Sequence, residues 1–113
     1  MDGQREYRRV EIELRGSFKT QRGDRLEGCA EIQNVGHGGL MFISSASLKR
    51  GEFIDLIVYF NDLEIPLKGE VVWTEELAES IPAESKFGVK YSSISPLEQR
   101  YLSTIIGFNR KVE

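Results

Sequence analysis

Val10-Glu11-Ile12-Glu13-Leu14-Arg15-Gly16-Ser17-Phe18-Lys19 alternates without a break. Val10, Ile12, Leu14, Gly16 and Phe18 fall on one side of an extended chain and Glu11, Glu13, Arg15, Ser17 and Lys19 on the other, which is the period-two pattern of a half-buried strand. Gln21, Arg22, Gly23 and Asp24 interrupt it, and a second alternation follows with Leu26, Gly28, Ala30 and Ile32 inward and Arg25, Glu27, Glu31 and Gln33 outward. Two such runs across a short polar break predict a hairpin.

Further along, residues 40–43 predict a short strand, residues 44–51 a connecting loop, and residues 53–60 and 64–74 a second hairpin across Asn61 and Asp62, both good turn formers. The first strand of that hairpin is apolar on both sides, with Ile54, Leu56, Val58 and Phe60 on one and Phe53, Ile57 and Tyr59 on the other, so its second face needs a cover. On the next strand Ile65, Leu67, Gly69, Val71 and Trp73 share a face, which assigns Trp73 to the core, with a place for its indole near the functional site as the alternative. Residues 75–85 are acidic and read as irregular, and residues 86–92 resume alternation through Phe87, Val89 and Tyr91.

Ser95, Pro96 and Glu98 then supply an N-cap, a first helical residue and the return arm of a capping box. The helix is expected to reach about Arg110, with Leu97, Tyr101, Leu102, Ile105, Ile106 and Phe108 on its apolar half. That half suits either the doubly apolar strand or the open end of a barrel, with the Leu102 and Ile106 edge available to a partner. Even spacing of short strands followed by one helix predicts an all-β fold, a six-stranded antiparallel β-barrel with a C-terminal α-helix. The barrel and helix take residues 10–113 as a single domain, preceded by residues 1–9 as a flexible basic arm carrying Arg5, Arg8 and Arg9.

Composition narrows the function. The chain has 113 residues, 40% hydrophobic and 29% charged, with a formal net charge of −3. A domain of this size buries roughly 65% of its unfolded surface, enough for a core without staples. A lone cysteine, Cys29, excludes an internal disulfide, and short apolar runs exclude a spanning helix, so a reducing, cytoplasmic setting is expected without membrane insertion. Net acidity disfavours a general nucleic-acid binder, although a small barrel holding single strands through its arm and an aromatic such as Tyr59 is a third class to weigh. His37 is the only histidine, no serine sits in a nucleophile motif, and no phosphate loop of the Walker kind is present. No catalytic residue, metal site or cofactor is therefore assigned.

The chemistry-bearing features are the arm and a glycine-rich turn. Arg5-Glu6-Tyr7-Arg8-Arg9 precedes the first strand, and Asn34-Val35-Gly36-His37-Gly38-Gly39, with three glycines in six residues, follows the second. A hairpin brings the start of its first strand to the end of its second, so the two segments should meet. Arginine offers a planar fork of donors to a phosphate or to the O6/N7 edge of guanine, and asparagine offers a donor and an acceptor to a base edge. Glycines let ligand atoms approach backbone amides, so the set suits a small anionic guanine-bearing ligand. The glycine-rich backbone is expected to take an unusual path.

Arg5 to Arg9 fits R-x-x-x-R, and residues 34–39 fit [D/N]-x-S-x-x-G except at Gly36; in both motifs, and along nearly its whole length, the chain resembles PilZ domains, the bacterial receptors for cyclic di-GMP. Gly69-Glu70-Val71-Val72-Trp73 and Phe87-Gly88-Val89-Lys90-Tyr91 are similar to that family's later strands. The resemblance implies that Arg5 and Arg9 grip phosphates and guanine edges, Asn34 reads a guanine, Gly36 stands in the serine position and Gly39 keeps the turn. Arg8 and His37 would be auxiliary. It also implies signalling to an effector protein through ordering of the arm. Gly36 removes one hydroxyl, a bond worth about 0.5–1.5 kcal/mol, or up to roughly tenfold in affinity. The alternative it raises is a degenerate adaptor that binds protein and no nucleotide, and the exposed faces would also allow a dimer.

Overall fold

The computed structural model describes residues 9–21 and 26–108. The expected turn at Arg22, Gly23 and Asp24, and the helix end at Arg110, lie outside the described residues. The elements follow in the order β1 (Arg9–Thr20), β2 (Glu27–Gly36), β3 (Gly39–Ser44), β4 (Phe53–Phe60), β5 (Leu63–Leu77), β6 (Glu84–Ser93) and α1 (Pro96–Phe108). They form a closed barrel with strand order β1-β2-β3-β6-β5-β4, every neighbouring pair antiparallel. Two pairings close the ring, Ser17↔Ile57 between β1 and β4 and Phe42↔Phe87 between β3 and β6. The predicted architecture is thus the observed one.

Local chemistry explains the hairpins. Thr20 and Leu26 flank the first, the Leu26 amide donating to Thr20 Oγ1 and the Thr20 amide to the Leu26 carbonyl, both at 2.8 Å. The second turns in two residues between Phe60 and Leu63, with Asn61 at φ 55°, a left-handed conformation that asparagine tolerates. Inside the ring Phe18, Phe42 and Phe87 pack as tilted rings, with centroids 5.6 and 5.3 Å apart. Leu48, from the loop after β3, is buried in the same core.

Helix α1 starts as its sequence demands. The Ser95 amide donates to Glu98 Oε1 at 3.0 Å and the Glu98 amide to Ser95 Oγ at 3.1 Å, a complete capping box. Leu102, Ile105 and Ile106 are buried, each worth about 1.5–3 kcal/mol of apolar burial. The helix packs against β2 and β5, so of the two expected placements it takes the barrel end. Its Leu102 and Ile106 edge is therefore not available to a partner, and the second face of β4 keeps Phe53 46% and Tyr59 39% exposed.

Two further expectations need correction. Residues 75–85 are not wholly irregular: β5 continues to Leu77 and pairs with β6 through Glu75↔Lys86, Glu76↔Ser85 and Leu77↔Glu84. A projecting hairpin needs no buried face, and an opposite-charge pair at Glu75 and Lys86 suits an exposed ladder. Trp73 is also not core. The β5–β6 register shifts between Val71 and Trp73, so Val71 is buried while Trp73 turns outward across Gly88, 39% exposed. A Cβ on Gly88 would collide with the indole ring.

Candidate functional site

One end of the barrel gathers the start of β1, the β2–β3 turn and α1. Arg9, the last arginine of the arm motif, is the first residue of β1 and pairs with Gly36; Val10 pairs with Val35 and Glu11 with Asn34. The strand register thus brings the end of the basic motif to the glycine-rich turn. Arg5 and Arg8 lie outside the described residues.

Bulges decide which way this stretch faces. Simple alternation from Ala30 and Ile32 would send Asn34 into the core. The β2–β3 register instead shifts between Ile32 and Asn34, and the β1–β2 register between Glu11 and Leu14. Ile32 and Val35 are consequently the buried residues, and Asn34 is half-buried on the outer side. An extra residue in a strand re-aims the side chains beyond it, and here it turns the one amide of the motif outward.

The turn is shorter than its glycine content suggests. Strand β2 runs through Gly36 and β3 begins at Gly39, leaving only His37 and Gly38 between them. Among the described residues positive φ occurs at Asn61 and Gly51, so the glycines of the turn are not there for left-handed backbone. Gly39 has a steric reason: a Cβ on it would collide with the Val89 carbonyl oxygen across the β3–β6 ladder. The unusual path expected of the segment is a close approach of two strands.

Three hydrogen bonds hold the turn in place. Tyr91 donates its hydroxyl to the Gly36 carbonyl at 3.1 Å and its amide to the Gly38 carbonyl at 3.0 Å. His37 Nε2 meets Ser103 Oγ on α1 at 2.9 Å. His37 is thereby tied to the helix, and Tyr91 and Ser103 join the site as supports that sequence spacing did not single out. Both are distant in the chain, and only the ring closure and the helix docking bring them near.

The neighbouring outer surface belongs to β6 and β5. Lys90 pairs with Gly39 on one side and with Glu70 on the other. Among the described residues no three of His, Cys, Asp and Glu gather as a metal site. No helix described is long and apolar enough to cross a membrane. A separate groove of about 670 Å³, lined by Ser17, Lys19, Asp55, Ile57, Pro66 and Lys68 among others, contains none of residues 34–39. Arg9 is not among its lining residues either.

Known proteins share this fold. The model of the PilZ domain family matches residues 3–108. The fold is similar to the PilZ domain of YcgR from Escherichia coli, solved with c-di-GMP, at TM-score 0.77 and 14% identity over 96% of this chain and 93% of that one. It is similar to the Bacillus subtilis inhibitor of motility, MotI/DgrA, at TM-score 0.75 and 18% identity over 97% of this chain and 52% of that one. The K. pneumonia MrkH–c-di-GMP complex gives TM-score 0.73 and 11% identity over 90% and 50%. The chain therefore spans about half the length of the last two. No curated protein matches it by sequence.

Proposed function

The chain belongs to the PilZ domain family, a family of non-catalytic domains that bind c-di-GMP, and from that premise we propose that it is a cyclic di-GMP receptor which passes its signal to a separate effector protein. The observation that carries the reading is the pairing of Arg9 with Gly36, which joins the end of R-x-x-x-R to the start of the glycine turn. Arg5 and Arg9 would clasp the phosphates and guanine edges with charge-assisted, bidentate bonds. Asn34, turned outward by its bulge, would read a guanine edge. Gly36 occupies the altered serine position, and Gly39 keeps the strands close enough for ligand to approach. Arg8 and His37 are auxiliary.

The mechanism is coupled ordering. The basic arm that ends at Arg9, itself already the first residue of β1, would close over a doubly charged nucleotide, and the combined surface of arm and barrel is what the effector would sense. A reducing, cytoplasmic setting goes with this reading. Isothermal titration calorimetry with cyclic di-GMP tests it: heat is expected below about 100 μM, and its absence there together with an unmoved melting temperature would sink the receptor reading. Arg9→Ala should weaken binding by about 1.5–3 kcal/mol, the worth of a hydrogen bond to a charged group.

A second reading, a PilZ adaptor that binds protein alone, is favoured by one observation, glycine rather than serine at residue 36. Gain of nucleotide binding by Gly36→Ser in a chain that otherwise has none would support it.

A further inference from the structure

The second face of β4, which α1 leaves open, belongs to a four-stranded surface on the far side of the ring from β3 and β6. Ala30, Phe18, Leu56 and Leu67 are buried, so their neighbours along β2, β1, β4 and β5 point outward. The registers line these neighbours up in three rows. The central row is Cys29, Ser17, Ile57, Pro66. On one side of it runs Glu27, Lys19, Asp55, Lys68, and on the other Glu31, Arg15, Tyr59, Glu64.

Side-chain contacts tie parts of this surface together. Asp55 Oδ1 accepts from Lys68 Nζ at 3.2 Å and from Gln21 Nε2 at 2.9 Å, and the Ser17 and Tyr59 hydroxyls lie 3.3 Å apart. Ser17, Asp55 and Ile57 are half-buried and floor the groove of about 670 Å³, while Lys19, Pro66 and Lys68 stand exposed along it.

The row from Glu27 to Lys68 alternates negative, positive, negative, positive. That order is its own complement under a two-fold axis parallel to the strands between β1 and β4, because the axis exchanges β1 with β4 and β2 with β5. Lys19 then meets the partner's Asp55, Glu27 meets the partner's Lys68, and each pair forms twice. In the central row Ser17 meets the partner's Ile57, a small residue against a large one. In the third row Arg15 lies over the partner's Tyr59, where a guanidinium and an aromatic ring attract. The like charges of Glu31 and Glu64 fall at the outer corners, where the twist of both sheets carries them apart.

We propose that this face is a self-association surface, occupied by a second copy of the chain packed sheet on sheet about that axis. Four strands about 4.8 Å apart and three rows about 6.8 Å apart make a patch of roughly 400 Å² per copy. That is below the size of a standard interface, so the dimer is weak, with a Kd on the order of 10–100 μM. The face contains none of residues 34–39, so the inference stands apart from the receptor reading.

Sedimentation velocity of the intact chain from about 5 to 500 μM tests it, under reducing conditions so that the exposed Cys29 does not link copies. The expected result is a monomer that becomes a dimer as concentration rises, with several-fold weaker association in about 0.5 M salt. Lys19→Glu and Asp55→Lys should each weaken self-association at least about tenfold, since each sets like charges against one another in two symmetric pairs. Mixed one to one, the two variants should associate again, because the reversed residue of each then faces an opposite charge on the other. Rescue within a single chain cannot produce that result, and unchanged melting temperatures of the dilute variants show that the fold is intact. A chain that stays monomeric at 500 μM, or a mixture no stronger than either variant alone, would overturn the proposal.

Discussion

His37 Nε2 and Ser103 Oγ lie 2.9 Å apart although 66 positions separate them in the chain. The bond joins the β2–β3 turn to the middle of α1, so a change at the turn has a direct route to the helix. The first expected outcome concerns that link. His37→Ala should cost about 0.5 kcal/mol in urea denaturation, the low end for a hydrogen bond because the pair is exposed. Amide exchange in α1 should rise while exchange in the β3–β6 ladder stays unchanged. Equal exchange in α1 before and after would mean that the bond carries no coupling.

Gly39 and Gly107 make opposite predictions for the same substitution. A Cβ on Gly39 meets the Val89 carbonyl oxygen, which is backbone and cannot swing away, so Gly39→Ala should destabilise by about 1–3 kcal/mol. Gly107 has open space around it within α1, so Gly107→Ala should stabilise by about 0.5–1 kcal/mol through helix propensity. Melting temperatures of the two variants would move in opposite directions.

The capping box of α1 predicts its own energy. Ser95→Ala removes the acceptor for the Glu98 amide and should lower stability by about 1 kcal/mol. Ser95→Asp, which restores an acceptor at the cap, should recover most of the loss in chemical denaturation.

Gly36→Ser restores the hydroxyl at the altered motif position. Under the receptor reading it should raise affinity for cyclic di-GMP by up to about tenfold in calorimetry. A variant that binds where the unmodified chain does not would favour the adaptor reading.

The parts legible in the sequence are those set by neighbours in the chain. Alternation in residues 10–19 and 53–60, the Asn61–Asp62 turn and the Ser95–Glu98 box each depend on contacts within a few residues. The facing of Trp73 and of Asn34 is illegible there for one shared reason. Each lies just beyond a register shift, and a single extra residue reverses the facing of everything after it without leaving a mark in the hydrophobic pattern. The hairpin extension from Glu75 to Leu77 was hidden because an exposed ladder has no apolar face to betray it.

From its residues alone this chain is committed to short amphipathic strands, a capped helix and a basic segment followed by a glycine-rich one, because propensity and capping act over a few bonds. Which side of the barrel Asn34 and Trp73 face, that Tyr91 and Ser103 hold the turn, and that Lys90 stands opposite Gly39 are decided only when the ring closes. Ladder register is a property of two strands at once, and no single stretch of sequence contains it.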